Sequence, residues 1–271
     1  MTRRARSRTR LRRSRRGLST EDRKGVFIFG TGAALLVALG IFILQVVRSP
    51  DNDYDRVSLC NEHLPRAAHH LMIIDVSDAL SAHQAHFLKI HISGLLRDAS
   101  INDRFSIFVL DERYSGLSEP VIELCKPPSA VDADMLTSNR VFIERLYSER
   151  FATPLEQAIA SVVTSGEQKE SPIYEALSDV AALRRIDPRA GDVRLTIVSD
   201  MIQNSRAGSV FDAGPKAIEN LPLVNLRGVR TWVFWLDREK YKRFQTEELA
   251  SSWEDYLASV SRFEQIERVR N

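Results

Sequence analysis

The sequence predicts an α/β domain built on a doubly wound, mostly parallel sheet with one antiparallel edge strand, preceded by a single transmembrane helix. Three observations predict it. Val26 to Val47 runs for 22 residues without a charge. Beyond it, apolar runs of strand length alternate with segments of helical period. Two of those runs, ending at Asp75 and Asp200, pass from buried character straight into a carboxylate.

Charge is distributed unevenly along the chain. Residues 1–24 hold ten Arg and one Lys against Glu21 and Asp22, a net charge of +9, while 49–271 carries −8. A basic arm on an acidic domain places the two ends in different surroundings. Residues 1–25 are therefore expected as a basic cytoplasmic tail and 26–47 as the transmembrane helix. At 1.5 Å per residue the uncharged run spans about 33 Å, enough for a hydrocarbon core of about 30 Å. Arg on its N-terminal side orients the tail inward and the remainder outward, periplasmic or extracellular. No A-x-A-like site follows, since the chain continues Arg48-Ser49-Pro50-Asp51, so an uncleaved anchor is favoured over a signal peptide. The tail is expected to attract anionic lipid. No aromatic residue interleaves its Arg residues, so nucleic acid is not favoured. Gly30, Ala34 and Ala38 form a small-xxx-small face, one route to a homodimer through the membrane.

Residues 48–67 read as a linker, polar and containing Pro50, and 68–271 as the outer domain. Cys60 and Cys125 lie beyond the membrane, where a disulfide is permitted and would tie the linker to the domain. Leu71 to Val76 is a buried parallel strand by its continuous apolar run. Leu80 to Ala99 is helical, with Leu80, Phe87, Leu88, His91, Ile92, Leu95 and Leu96 near one face. Phe105 to Leu110 is the second strand. Pro120 to Cys125 is the third, joined by a short connection and so antiparallel at an edge. Ser138 to Thr164 is helical with a break expected near Pro154, and Pro172 to Arg185 is the next helix. Val193 to Ser199 and Val229 to Leu236 are buried strands, separated by an irregular stretch over 202–227 with at most a short helix near Pro215 to Asn220. Thr246 to Ser259 is a helix and Phe263 to Val269 a last strand.

In such a sheet ligands sit beyond the carboxyl ends of the strands, where strand order reverses. Asp75 and Ser77 follow the first strand, Ser171 opens a later helix, and Asp200 follows the fourth strand. Two carboxylates and two hydroxyls suit a hard cation, Mg²⁺ or its substitute Mn²⁺. Each residue also has a local explanation: Ser77 or Asp78 could cap the helix near Ala79, and Ser171 could cap the helix opened by Pro172.

Over roughly residues 68–270 the chain resembles the von Willebrand factor type A domain family. The resemblance rests on strand order, on Asp75-Val76-Ser77 as the start of a metal-ion-dependent adhesion site, on Ser171 and on Asp200. It implies that Ser77 and Ser171 ligate the ion directly and that Asp75 and Asp200 hold it largely through water. The family pattern Asp-x-Ser-x-Ser ends here in Ala79, which removes one direct ligand, and Ser171 stands where Thr is usual. The implied activity is divalent-metal-dependent binding of a protein partner, not catalysis. A metal-independent scaffold and a Mg-dependent phosphoryl-transfer enzyme are the alternatives. No Gly-x-Ser-x-Gly elbow, P-loop or His-Glu-x-x-His is present. The six histidines lack zinc-ligand spacing and are expected to be surface or half-buried.

Overall fold

The structure is a computed structural model that describes residues 20–47, 53–110, 120–133, 139–163, 170–182 and 185–271. It divides into two compact units, Met1–Asn52 and Asp53–Asn271. Residues 1–19, most of the basic tail, and residues 48–52 lie outside the described residues.

Among the described residues, the first unit holds one helix, α1 (Thr20–Val47). Its segment Lys24–Leu44 is long and apolar enough to cross a membrane, with a mean hydropathy of 2.5. Apolar side chains from Val26 to Leu44 are exposed all round, an arrangement that suits hydrocarbon as solvent. Thr31 donates its hydroxyl to the carbonyls of Phe27 and Ile28, so its polar group is satisfied within the helix.

The second unit carries, in chain order, β1 (Arg66–Asp75), α2 (Ala82–Asp98), β2 (Arg104–Leu110), β3 (Ile122–Cys125), α3 (Arg140–Tyr147), α4 (Thr153–Val163), α5 (Ile173–Ala182), β4 (Ala190–Ser199), β5 (Asn204–Ser205), β6 (Gly208–Ser209), α6 (Val210–Ala213), α7 (Lys216–Glu219), β7 (Leu226–Leu236), α8 (Glu247–Val260) and β8 (Ser261–Val269). The main sheet has the order β3-β2-β1-β4-β7-β8. Only β3 is antiparallel to its neighbour, as the short connection before it requires. Strand alternation sends Leu71, Ile73, Leu195 and Ile197 into one core with α5 and α8, and Met72, Ile74 and Val198 into a second core with α2 and α4.

Local chemistry fixes the helix ends. Ser81 accepts from the Gln84 backbone N–H at 3.2 Å while Gln84 Oε1 accepts from the Ser81 N–H, a capping box. The cap of α2 is therefore Ser81, not Ser77 or Asp78, which are left for the rim of the sheet. The expected break near Pro154 is a π turn over Ser148–Ala152 joining α3 to α4. The wider turn absorbs the missing donor and the bulk of the proline ring.

From Asp53 onward, the chain expected as linker packs on the domain. Asn61 is fully buried; its N–H donates to Asn102 Oδ1 at 2.9 Å, and Asn102 Nδ2 donates to the Asn61 carbonyl at 2.9 Å. Cys60 and Cys125 form a disulfide.

Two histidines expected at or near the surface are buried, His69 completely and His70 nearly so. They sit in the first strand, upstream of its apolar run. His69 Nδ1 accepts from the Asp187 N–H at 3.1 Å, which puts the proton on Nε2, 3.0 Å from Ser106 Oγ. Ser106 in turn donates to Glu123 at 3.0 Å. Burial pushes the His69 pKa down to about 3. Beside it, the buried Asp187 carboxylate pairs with Arg66 and, at 3.1 Å, with Arg104.

Candidate functional site

The parallel register sets the site. Ile74 pairs with Val198, so β1 and β4 end side by side, with Asp75 next to Ser199 and Asp200 just beyond. The chain crosses from β1 to β2 on one side and reaches β4 on the other, making this rim the switch point of the sheet.

Asp75 is 2% exposed. Its Oδ2 accepts from Ser171 Oγ at 2.7 Å and Ser199 Oγ at 2.8 Å, and its Oδ1 accepts from the Ser77 N–H at 2.9 Å. Three donors hold the carboxylate in one orientation. Ser171 is fixed by a two-way backbone bridge with Asn204, 3.0 Å in each direction. Its hydroxyl is aimed at Asp75, so it serves the rim and not the start of α5. Because that hydroxyl gives its proton to Asp75, its oxygen lone pairs remain available.

Asp200 is 4% exposed, and its Oδ1 accepts from the Ile202 N–H at 2.9 Å. Its other carboxylate oxygen, like the Ser77 hydroxyl, has no hydrogen-bond partner among the described residues. Both residues line a pocket of about 350 Å³ with Asp78, Ser171, Lys240 and Tyr241. Burial, then the charges of Asp75 and Asp78, push the Asp200 pKa up to about 8, against the opposing Ile202 hydrogen bond and Arg238 charge. The next residue, Met201, has a φ of 59°, a strained conformation for a bulky side chain. It is held on both sides: its N–H donates to Ser199 Oγ at 2.9 Å and its carbonyl accepts from Trp253 Nε1 at 2.8 Å.

All four residues expected as ligands therefore meet at one rim. Among the described residues, no three of His, Cys, Asp and Glu gather in metal-ligating geometry. An ion here would rest on hydroxyl oxygens as much as on carboxylates. The donor set fits one: the Ser77 hydroxyl and one oxygen of the Asp200 carboxylate, both without hydrogen-bond partners among the described residues, and the Ser171 hydroxyl, whose proton is directed away. Ala79 supplies no side-chain oxygen.

Two further residues shape the site, and the motif reading missed them. Arg238 is buried and donates from Nη1 to the Ala79 carbonyl at 2.5 Å and from Nη2 to the Asp78 carbonyl at 2.9 Å. Gln245 accepts the Arg238 N–H at 2.7 Å and donates to the carbonyls of Asp200 at 3.0 Å and Leu236 at 2.9 Å. Together they lace the loops after β1, β4 and β7. A signal for Arg238 existed: it lies two residues past the apolar run that ends at Leu236, at the same rim as Asp75 and Asp200.

No family model matches the chain, and no curated protein matches it. Among solved structures, it is similar to an aerotolerance-related membrane protein of Bacteroides fragilis bearing multiple mutations to serine, at 16% identity and a TM-score of 0.28. That match covers 62% of this chain and 66% of the other, just under two thirds. It is also similar to the conserved hypothetical protein BatB of Bacteroides thetaiotaomicron, at 14% identity and a TM-score of 0.33, covering 75% of this chain and 91% of the other. Both likenesses are distant, and the fold described above stands on its own strand order and register.

Proposed function

We propose that this chain is a membrane-anchored interaction module of the von Willebrand factor type A kind, its domain outside the cytoplasm and its rim site binding a protein partner through a divalent ion. One observation carries the reading: Ser77, Ser171 and Asp200 line one pocket, where Ser171 turns its proton toward Asp75 and one Asp200 oxygen has no hydrogen-bond partner among the described residues. Ser77, Ser171 and Asp200 would hold Mg²⁺, or Mn²⁺ in its place, with Asp75 orienting the two serines. When bound, the ion supplies an open coordination position for a carboxylate oxygen of the partner. Arg238 and Gln245 keep the three loops in register so that the donors are set before the ion arrives. The reading is of binding and not turnover. Asp75, which a phosphoryl-transfer mechanism needs as nucleophile, has both oxygens engaged by Ser77, Ser171 and Ser199.

A metal-independent scaffold is the second reading. Lys240 supports it, since its ammonium lies 4.0 Å from Asp78 and carries positive charge to the same pocket. Thermal unfolding of the full chain in detergent separates the two. Under the ion reading, Mg²⁺ or Mn²⁺ at ten times its dissociation constant stabilises the domain by about 1.4 kcal/mol, and Asp75→Ala removes the gain. No shift at millimolar ion overturns the ion reading and leaves the scaffold.

A further inference from the structure

A second pocket lies between α2 and the sheet, away from the rim. His70 and Arg194 are five and six residues upstream of Asp75 and Asp200, about 17–20 Å back along the strands. The register places His70 beside Arg194, Arg194 beside Arg230, and Arg230 beside Arg262. One row across four neighbouring strands therefore carries an imidazole and three guanidiniums. Like charges directly opposite one another destabilise a sheet, and strand positions favour β-branched and aromatic residues. Folding alone does not ask for this row.

Two carboxylates offset it in part. Asp192 Oδ2 accepts from Arg194 Nε at 2.7 Å and from Arg230 Nη1 at 3.3 Å. Glu264 accepts from Arg230 Nε at 2.9 Å and lies 3.5 Å from Arg262 Nε. Three cations face two anions, and Arg194 commits only its Nε among the described residues, leaving both of its terminal NH₂ groups for a ligand. Trp232 stands two residues beyond Arg230 on the same face, with the Arg230 guanidinium 4.8 Å from its ring centroid. Leu95 and His91 of α2 form the opposite wall, and the cavity measures about 350 Å³.

We propose that this pocket binds a small aromatic carboxylate. The Arg194 fork takes the carboxylate, and Trp232 and Leu95 cover the flat apolar body. A guanidinium fork matches a carboxylate with two parallel N–H donors, which an ammonium does not. A pocket of this size with an aromatic wall and a few convergent polar groups has the anatomy of a small-molecule site. It is independent of the rim site and of any ion there.

The test uses the full chain in detergent and 4-fluorobenzoate as probe, read by ¹⁹F line broadening. The result expected is saturable broadening, displaced by unlabelled benzoate. It should weaken at least tenfold in Arg194→Gln and in Trp232→Leu, each checked to melt as the parent does. The uncharged 4-fluorobenzyl alcohol should bind at least tenfold more weakly, which separates the fork from simple partitioning into an apolar cleft or the micelle. Absence of saturable broadening, equal binding of the alcohol, or unchanged binding in a folded Arg194→Gln overturns the proposal.

Discussion

Removing the Cys60–Cys125 bond by Cys60→Ser with Cys125→Ser should cost the domain about 4 kcal/mol. The bond closes a loop with a sequence separation of 65. The chain-entropy relation gives about 14–15 cal/mol/K for a loop of that size, or about 4.3 kcal/mol at 25 °C. Local hydrogen bonds hold the same joint from the native side. The Cys125 N–H donates to the Ser58 carbonyl at 2.8 Å, and Asn102 Nδ2 donates to the carbonyls of Asn61 and Leu64 at 2.9 and 3.0 Å. They keep the native geometry without the crosslink, so the loss falls on the unfolded state, which gains freedom. For a domain of this size about 4 kcal/mol corresponds to a fall of roughly 8–16 °C in melting temperature. Urea titration of parent and double variant, with reductant added to the parent as a third arm, measures it. A loss below about 1 kcal/mol in both arms would contradict the reasoning. It would mean that the Asn61–Asn102 bonds already restrict the segment in the unfolded chain.

Other expectations follow from the same contacts. Arg238→Met leaves the carbonyls of Asp78 and Ala79 without their donor and should destabilise the domain by about 2–4 kcal/mol, read by urea midpoint. His69 stays neutral in the folded state down to about pH 3 and takes a proton in the unfolded chain near pH 6.5. The unfolded state therefore binds more protons in that window, and stability falls as pH drops through it, by up to about 1.4 kcal/mol per pH unit. A His69→Gln variant should lose that part of the slope, and an unaltered slope would show that His69 is not its source. A reporter fused after Asn271 should be active only when the C-terminus lies outside the cytoplasm; activity on the cytoplasmic side would reverse the orientation that the arginine-rich arm implies.

The sheet was legible because its strands are buried on both faces and so read as continuous apolar runs, Leu71 to Ile74 and Leu195 to Val198 among them. The antiparallel placement of β3 followed from the shortness of the connection before it. That Asp75 and Asp200 lie at one rim was legible because a carboxylate directly after an apolar run stands out, whereas Ser171 was reached only through its place before Pro172 and the family resemblance. Other features depend on tertiary partners. The burial of His69 rests on Asp187 and Ser106, distant in sequence, and no local pattern encodes that pairing. Ser81 won the cap of α2 from Ser77 and Asp78 through Gln84, three residues on, a capping-box signal present in the sequence. The expected break near Pro154 took the form of a π turn, a widening that makes room for the proline ring between α3 and α4. The packed segment after Asp53 looked like linker because its fixing contacts are polar, through Asn61 and Asn102, and its apolar content is low.

The most direct measurement of the rim site is a crystal of the chain grown with Mn²⁺, with anomalous scattering recorded at the manganese edge. One peak is expected at the end of β1 and β4, within about 2.0–2.3 Å of the hydroxyl oxygens of Ser77 and Ser171. A map with no peak there, or with the Lys240 ammonium seated between Asp78 and Asp200 instead, would contradict it.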